Sequence, residues 1–264
     1  MVADFRRDGA RSSLVWDVLR GVVAARVAET GRPALDIVDV GGGTGGLAVQ
    51  FAALGHNVTV VDPSPDALAA AQRRAAEAGA RLTAVQGEAA SLDSVAGPKA
   101  ADLVICHNVL EYVDSPADAM TAIAAVLRPA ATVSVIAANA VAAVLHQALA
   151  GRFAEARQLL GASQLPGASQ LPGASELPGA SERAGGRDSA PRRFTLPALT
   201  GLLEGAGLRV GQAHGLRIFG GLVPGALLDG DAGAAEALRA LEDAAAAAPP
   251  LRDIAAQLHV LGHR

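Results

Sequence analysis

Apolar and polar positions follow one another in blocks, with short apolar runs succeeded by stretches whose apolar residues recur at helical spacing. The run from Leu35 to Val40 suits a strand buried on both faces, and the segment LAVQFAALG after it has helical spacing. Further strands are predicted in VTVVD, RLTAVQ, ADLVICH, TVSVIAA, LRVGQAHGL and AQLHVLG. Because strands and helices alternate, we predict an α/β fold with a mostly parallel sheet and helices on both faces.

Two apolar segments need a separate interpretation. Residues 14–28 carry apolar side chains on one helical face, which predicts an amphipathic helix covering the ligand side or an edge of the sheet. The segment TVSVIAANAVAAVLHQALAG is interrupted by Asn139, His146 and Gln147. It therefore favours a fifth strand followed by a helix over a membrane span.

The composition changes at Gly161, where the hexapeptide GASQLP begins to repeat. Residues 161–182 contain turn residues and few apolar side chains, so we predict a low-complexity insertion with no part in the core. The rest of 1–264 is predicted to be one domain. Arginines follow the repeat at 183, 187, 192 and 193, a local basic stretch that suits either a solvated loop or an anionic substrate.

The glycine-rich sequence VDVGGGTGG lies between the first predicted strand and its helix. Gly41, Gly43 and Gly46 match the G-x-G-x-x-G fingerprint of dinucleotide-binding proteins. Asp39, Gly41, Gly43 and Gly45 match the acidic-x-G-x-G-x-G pattern of class I S-adenosylmethionine (SAM) methyltransferases. A buried carboxylate needs a partner, and Asp39 would attract the SAM ammonium but repel a pyrophosphate. The loop therefore favours SAM, bound at the carboxyl end of the first strand.

Acidic residues end the next two predicted strands. Asp62, followed by Pro63, is placed to accept hydrogen bonds from two ribose hydroxyls, and its alternative role is a turn or helix N-cap. Glu88 ends the third strand, where methyltransferases place an adenine contact; a solvated loop acid is its alternative. We predict that Asp62, Pro63 and Glu88 belong to the SAM site.

Residues and motifs that the sequence lacks exclude several kinds of reaction and ligand. Lys99 and Tyr112 are the only residues of their types, so no Tyr-x-x-x-Lys dehydrogenase pair exists. Cys106 and the six histidines lack metal-ligand spacing, and we predict no metal. The net charge of −4 gives no nucleic-acid signature. One cysteine, and a start without an apolar signal core, predict a cytoplasmic protein.

Segments spread over most of the chain resemble the bacterial tRNA carboxymethoxyuridine methyltransferases, a group of class I SAM enzymes. They are Arg11 with Trp16, then VDVGGGTGG, GHNVTVVDPS, HNVLEYVDSP, GLRIFG, a Leu-Glu helix before LHV, and a pattern formed by Asn139, Ala140, His146, Ala150, Gly151 and Phe153. The resemblance implies a Rossmann-like seven-stranded sheet of order 3-2-1-4-5-7-6, whose last two strands form a hairpin-like pair. It also implies that Arg11 holds the SAM carboxylate and that Arg217 faces the substrate.

The methyl acceptor decides which further residues are needed. A carboxylate is already anionic and needs only a clamp such as arginine, whereas a phenol or amine more often needs a general base. His107, at the end of the fourth strand, and His146 are the candidate bases. Each has an alternative: His107 packs the adenine or methionine moiety of SAM through its backbone, and His146 is structural. Glu111 and Tyr112 either line the pocket or pack the next helix.

Three functions stay open at this point. The first is a methyltransferase acting on a carboxylate-bearing acceptor, a modified tRNA uridine among the candidates. The second is an O- or N-methyltransferase of a small metabolite. The third is a SAM-binding protein without catalytic activity. The sequence indicates no membrane partner and no oligomeric state.

Overall fold

The computed structural model describes residues 2–163, 191–223 and 233–264, with side chains from residue 14 to 161 and in the two later ranges. The helices are α1 (Val2–Thr30), α2 (Ala48–Ala53), α3 (Pro65–Glu77), α4 (Leu92–Ala96), α5 (Pro116–Val126), α6 (Ala140–Leu149), α7 (Phe153–Ser163), α8 (Leu196–Gly205) and α9 (Ala234–Ala245). The strands are β1 (Asp36–Val40), β2 (Asn57–Asp62), β3 (Thr83–Gln86), β4 (Ala101–His107), β5 (Leu127–Ala138), β6 (Arg209–Leu216) and β7 (Gln257–His263). Short 3-10 turns lie at Ala89–Ser91 and Leu251–Ile254.

All seven strands belong to one sheet with the order β3-β2-β1-β4-β5-β7-β6. The first five strands pair in parallel, and β7 is antiparallel to both β5 and β6. The predicted order and the hairpin-like final pair are thus confirmed. Because β7 runs against both neighbours, β6 points the same way as β5, and its end reaches the same edge of the sheet.

Each face of the sheet carries its own apolar core. Side chains alternate between faces along a strand, so neighbouring residues enter different cores. On one face Val133 packs with Met120 of α5 and Leu203 of α8. On the other face Ile136 packs with Leu19 of α1 and Phe51 of α2. The long apolar run in β5 therefore reflects burial on both faces, as expected for a central strand.

Four helices begin where a side chain of the sequence supplies a capping group. Side chains of Ser64, Ser115, Asn139 and Thr195 accept hydrogen bonds from the first turns of α3, α5, α6 and α8. The predicted helix over 14–28 is part of the longer α1. The segment 132–151 forms the end of β5 and then α6, as predicted. In the described parts of the chain, no helix is long and apolar enough to cross a membrane.

The structure describes only the first residues of the predicted insertion. Residues 161–163 are the last of α7. Residues 164–182 lie outside the described ranges, and so do Arg183 and Arg187. The insertion therefore stays a prediction.

A buried carboxylate organises the edge of the sheet opposite the glycine loop. Asp102 accepts from the guanidinium groups of Arg32 and Arg128, each at 2.8 Å, and from the backbone N–H of Asp36 at 3.1 Å. Arg26 of α1 adds a longer contact of 3.4 Å. These bonds join α1, β1, β4 and β5 at the end that carries no candidate site residue, so we assign them a structural role.

Candidate functional site

Most candidate residues lie along one edge of the sheet, where the parallel strands end. The carboxyl ends of β1, β2, β4, β5 and β6 lie on this edge, together with the first residue of β7. Open α/β sheets bind ligands in the crevice outside the carboxyl ends of their strands. Asp39, Asp62, His107 and Arg217 are all located at or next to such strand ends.

The glycine loop requires the glycines of the SAM pattern. Gly41, Gly43 and Gly45 have φ values of +63°, +54° and +77°, which residues other than glycine rarely adopt. A Cβ on Gly41 would clash with Val109, and one on Gly45 would lie 2.9 Å from Ala71. Gly46, which only the dinucleotide fingerprint requires, has open space at its Cβ position.

Asp39 is a buried carboxylate without a hydrogen bond to any described residue. Its side chain is only 5% exposed. Burial, together with a smaller effect of the nearby Asp62, raises the pKa of Asp39 to about 7. A Cβ on Gly42 would lie 2.7 Å from this carboxyl group, so the loop folds closely over it. A cationic ligand group beside Asp39 would stabilise its ionised form, and the SAM ammonium fits that requirement.

Asp62 is held by the backbone of two loops. Its Oδ2 accepts from the N–H of Gly43 and its Oδ1 from the N–H of Ser64, both at 2.9 Å. The turn role and the ligand role are compatible, because each carboxylate oxygen retains a lone pair for a ribose hydroxyl. Pro63 beside it is exposed, and its carbonyl accepts from Gln86. The ribose contact stays a prediction.

Two further predicted contacts are less constrained. Glu88 is exposed and directly precedes the 3-10 turn Ala89–Ser91. This position is compatible with an adenine contact, which stays a prediction. Arg11 lies within α1, but its side chain lies outside what the structure describes.

The segment after β4 contains two well-anchored side chains. Nε2 of His107 lies 2.7 Å from Oγ of Ser134 on β5. The Glu111 carboxylate is buried and accepts from the N–H of Ala138 at 2.7 Å, and burial raises its pKa. Tyr112 is 73% exposed. Glu111 therefore fixes the end of β5, whereas the Tyr112 side chain extends into solvent.

A cavity of about 280 Å³ lies beyond the end of β5 and collects basic side chains. Arg193, Arg217 and His146 line it, together with Asn139 and Ala138. Arg217 has φ +57°, a conformation that costs a non-glycine residue energy and is often associated with functional sites. The structure thus brings Arg217 and His146 together.

The neighbouring arginine has a different position. Arg192 donates to the carbonyl oxygens of Val113 and Asp114, the second at 2.9 Å. Its backbone N–H also donates to the carbonyl of Glu111. Arg192 therefore anchors the loop after β4, and Arg193 is the one of the pair that lines the cavity.

Two glutamines in this cavity were missed by the sequence analysis. Gln147 and Gln257 line it, and the Oε1 atom of each is buried without a hydrogen-bond partner among the described residues. The Gln257 amide donates to Oδ1 of Asn108, which links the cavity to the end of β4. No local motif marks Gln257, because it reaches the cavity only through the pairing of β7 with β5 and β6.

Comparison with known proteins agrees with this geometry. Residues 37–130 match the family described as methyltransferase domain. The chain is 32% identical over 145 residues to the tRNA 5-carboxymethoxyuridine methyltransferase of Escherichia coli strain K12, covering 54% of each chain. It is 35% identical over 99 residues to the ubiquinone biosynthesis O-methyltransferase of Burkholderia thailandensis, covering 37% of this chain and 41% of the relative.

Solved structures share the fold at low sequence identity. The magnesium protoporphyrin IX methyltransferase of Synechocystis PCC 6803, with bound SAH, has a TM-score of 0.57 at 15% identity. The match covers 98% of this chain and 85% of that one. The chain spans about half the length of the first curated relative, 54%, and 41% of the second.

Residues 37–130 therefore match a methyltransferase domain, the sheet has the strand order of the class I SAM-dependent enzymes, and SAM is the cofactor of that class. Among proteins of this class, the chain is similar over about half its length to a tRNA 5-carboxymethoxyuridine methyltransferase. Among the described residues, no group of histidine, cysteine and acidic side chains is arranged to hold a metal ion.

Proposed function

We propose that this protein transfers a methyl group from SAM to an acceptor that carries a carboxylate, held by Arg193 and Arg217. One observation carries the proposal: both arginines line the same cavity at the ligand edge of the sheet. In the described parts of the chain, neither guanidinium forms an ion pair or hydrogen bond. Two cationic groups without anionic partners favour an anionic ligand.

The chemistry of a carboxylate suits these side chains. A planar guanidinium grips a carboxylate through two parallel hydrogen bonds, which fixes its orientation. Bound SAM supplies a methyl group already activated on a sulfonium centre. Asp39 would hold the ammonium end, and Asp62 the ribose hydroxyls. The arginines would present a carboxylate oxygen, and the crevice would exclude water, so that positioning provides most of the rate enhancement.

The similarity to a tRNA-modifying enzyme makes a tRNA nucleoside a candidate acceptor. The E. coli relative is named for 5-carboxymethoxyuridine in tRNA, and a carboxymethoxy group contains a carboxylate. The net charge of −4 and the match to an O-methyltransferase of ubiquinone biosynthesis favour a second candidate, a small metabolite. A SAM-binding protein without activity is the third candidate. The cavity would accept a carboxylate from either kind of acceptor.

The experiment combines an acceptor search with one substitution. Transfer of labelled methyl from SAM is measured into bulk tRNA and into a metabolite extract, both from a strain that lacks the gene. For Arg217→Lys we expect a loss of about 10-fold or more in methyl transfer, because lysine cannot form the bidentate contact. SAM affinity, measured by calorimetry, is expected to stay within about twofold, because Asp39 and Asp62 lie at the β1 side of the crevice.

The matched control is Arg157→Lys, an exposed arginine on α7. It should change neither quantity. Normal turnover by Arg217→Lys would show that Arg217 is structural and would remove the support for an anionic acceptor. SAM binding without transfer to any acceptor in either extract would favour the non-catalytic alternative.

A further inference from the structure

A row of polar side chains crosses the sheet on the face that packs against α1 and α2. Ser134 lies on β5, two residues before Ile136 of the apolar core on that face. Its Oγ is 2.7 Å from Nε2 of His107 on β4 and 2.9 Å from Nε2 of His259 on β7. We call these three residues the His–Ser–His chain. One hydroxyl thus lies between two imidazole rings.

The inner end of the chain is enclosed. His259 is fully buried, and its ring stacks on His214 of β6 with centroids 5.4 Å apart. Burial, together with a smaller effect of His214, lowers the pKa of His259 to about 3, so the ring is neutral at neutral pH. Nδ1 of His259 is buried without a hydrogen-bond partner among the described residues.

The hydroxyl proton permits only two neutral arrangements. In the first, His259 donates from Nε2 to Ser134, and the Ser134 hydroxyl donates to Nε2 of His107. In the second, every bond points the other way, and the ring proton of His259 lies on the partnerless Nδ1. A buried N–H without an acceptor is rarer than an unpaired buried acceptor, so the first arrangement is favoured.

A positively charged His107 is incompatible with the hydrogen bonds of the His–Ser–His chain. Its Nε2–H would have to donate to Ser134. The Ser134 proton would then go to His259, forcing the unfavourable N–H onto Nδ1 of that ring. If both rings donated instead, the hydroxyl proton would lack an acceptor, since Ser134 makes no other hydrogen bond in the described chain.

We infer that Ser134 and His259 are positioning residues that hold His107 neutral, with its ring proton on Nδ1 and its Nε2 accepting from Ser134. In this tautomer His107 donates from Nδ1 and has no lone pair available to remove a proton from a methyl acceptor. The predicted role of His107 as a general base is thereby replaced by that of a hydrogen-bond donor. The consequence for the acceptor rests on the proposed function: it enters already anionic, as a carboxylate does.

The test is nitrogen NMR of the full chain labelled with ¹⁵N-histidine, recorded with and without S-adenosylhomocysteine. His107→Asn assigns the His107 signals by their loss. We expect a protonated Nδ1 and a bare Nε2 for His107. In Ser134→Ala we expect averaged shifts of mixed tautomers, because the group that donates to Nε2 is removed.

Thr132→Val is the matched control. Thr132 lies two residues before Ser134, and its hydroxyl is 3.1 Å from Nδ1 of His263. This variant removes a similar hydroxyl–imidazole bond from the same strand and should leave the His107 shifts unchanged.

A protonated Nε2 on His107 in the unmodified protein would overturn the inference, as would an unchanged spectrum in Ser134→Ala. The unmodified protein decides the tautomer even if Ser134→Ala fails to fold. The NMR result does not depend on methyl transfer. Failure of the Arg217 experiment would therefore count against the proposed function and leave the tautomer result intact.

Discussion

At the residue scale, Asp39 is a predicted cofactor contact whose protonation depends on the fold. The unfolded chain holds this carboxyl near its ordinary pKa of 3.8, and burial raises the pKa to about 7 in the fold. Between these values the folded state binds the extra proton, so this residue's contribution to stability declines as pH rises through that window. A cationic group beside Asp39 reverses the preference, because it stabilises the ionised form.

We expect SAM affinity to depend on pH through Asp39. Below about pH 7 the Asp39 carboxyl must lose its proton when the SAM ammonium binds. The dissociation constant for SAM should therefore rise as the pH falls, approaching a tenfold increase per pH unit. Calorimetry in buffers of different ionisation enthalpy measures the released proton directly. Asp39→Asn should bind SAM weakly and without proton release, whereas Asp66→Asn, an exposed control on α3, should match the unmodified protein. Constant affinity between about pH 5.5 and about pH 8 would contradict the role of Asp39.

Site residues also differ in how readily they can be identified from the sequence. Asp39 and the glycines lie within a few positions of one another, so their local pattern predicted the loop. The contact between Ser134 and His259 joins residues 125 positions apart, and it depends on the register between β5 and β7. The position of Gln257 at the cavity depends on the same strand pairing. Chemistry built by strand pairing could not be predicted without the strand order and register.

At the element scale, α6 is tied to the turn before β7 by one buried side chain. Oδ1 of Asn139 accepts from the N–H of Val141 at the start of α6. Its amide donates to the carbonyls of Asp253 and Ala255, at 2.9 and 2.8 Å. Asn139 also lines the cavity. The relative positions of α6 and β7, and hence the cavity walls, therefore depend on three hydrogen bonds from one residue.

We expect Asn139→Ala to lower the free energy of unfolding by about 2–4 kcal/mol, because it removes a helix cap and leaves two carbonyls without their donor. Urea denaturation measures the change. Thr195→Ala serves as the comparison, since Thr195 caps α8 through a single bond to Ala198 and should cost about 1 kcal/mol. An equal or smaller loss in Asn139→Ala would show that the link is not important for stability.

The alternation of strands and helices was sufficient to predict the seven strands, but not every helix and not the ends of the elements. α1 begins at Val2, well before the predicted start at residue 14. β5 begins at Leu127 and includes the LRPAA segment that precedes the predicted apolar strand. Boundaries depend on tertiary contacts, which override local propensity.

At the scale of the whole molecule, the proposed site residues divide the sheet into a cofactor half and an acceptor half. Asp39 and Asp62 end β1 and β2, whereas Arg217 and Gln257 belong to the β6 and β7 side. The GASQLP repeat lies in the chain between α7 and α8. Its composition gave no reason to expect a part in either half, and this stays a prediction.

Deleting residues 164–182, which leaves α7 complete, should shift the melting temperature by less than about 2 °C and SAM affinity by less than about twofold. A variant with Gly/Ser residues over the same length separates the effect of sequence from that of loop length. A fall in melting temperature of more than about 5 °C would show that the segment packs against the domain.

The position of β7 also determines the order in which the molecule can be assembled during synthesis. β7 is the last strand in the chain, yet it lies between β5 and β6. During synthesis the amino-terminal part of a chain leaves the ribosome first. The cofactor half has all its strands once β5 has emerged, but β6 has no neighbour in the sheet until β7 has been made. The strands around the glycine loop are therefore made well before those that wall the acceptor cavity.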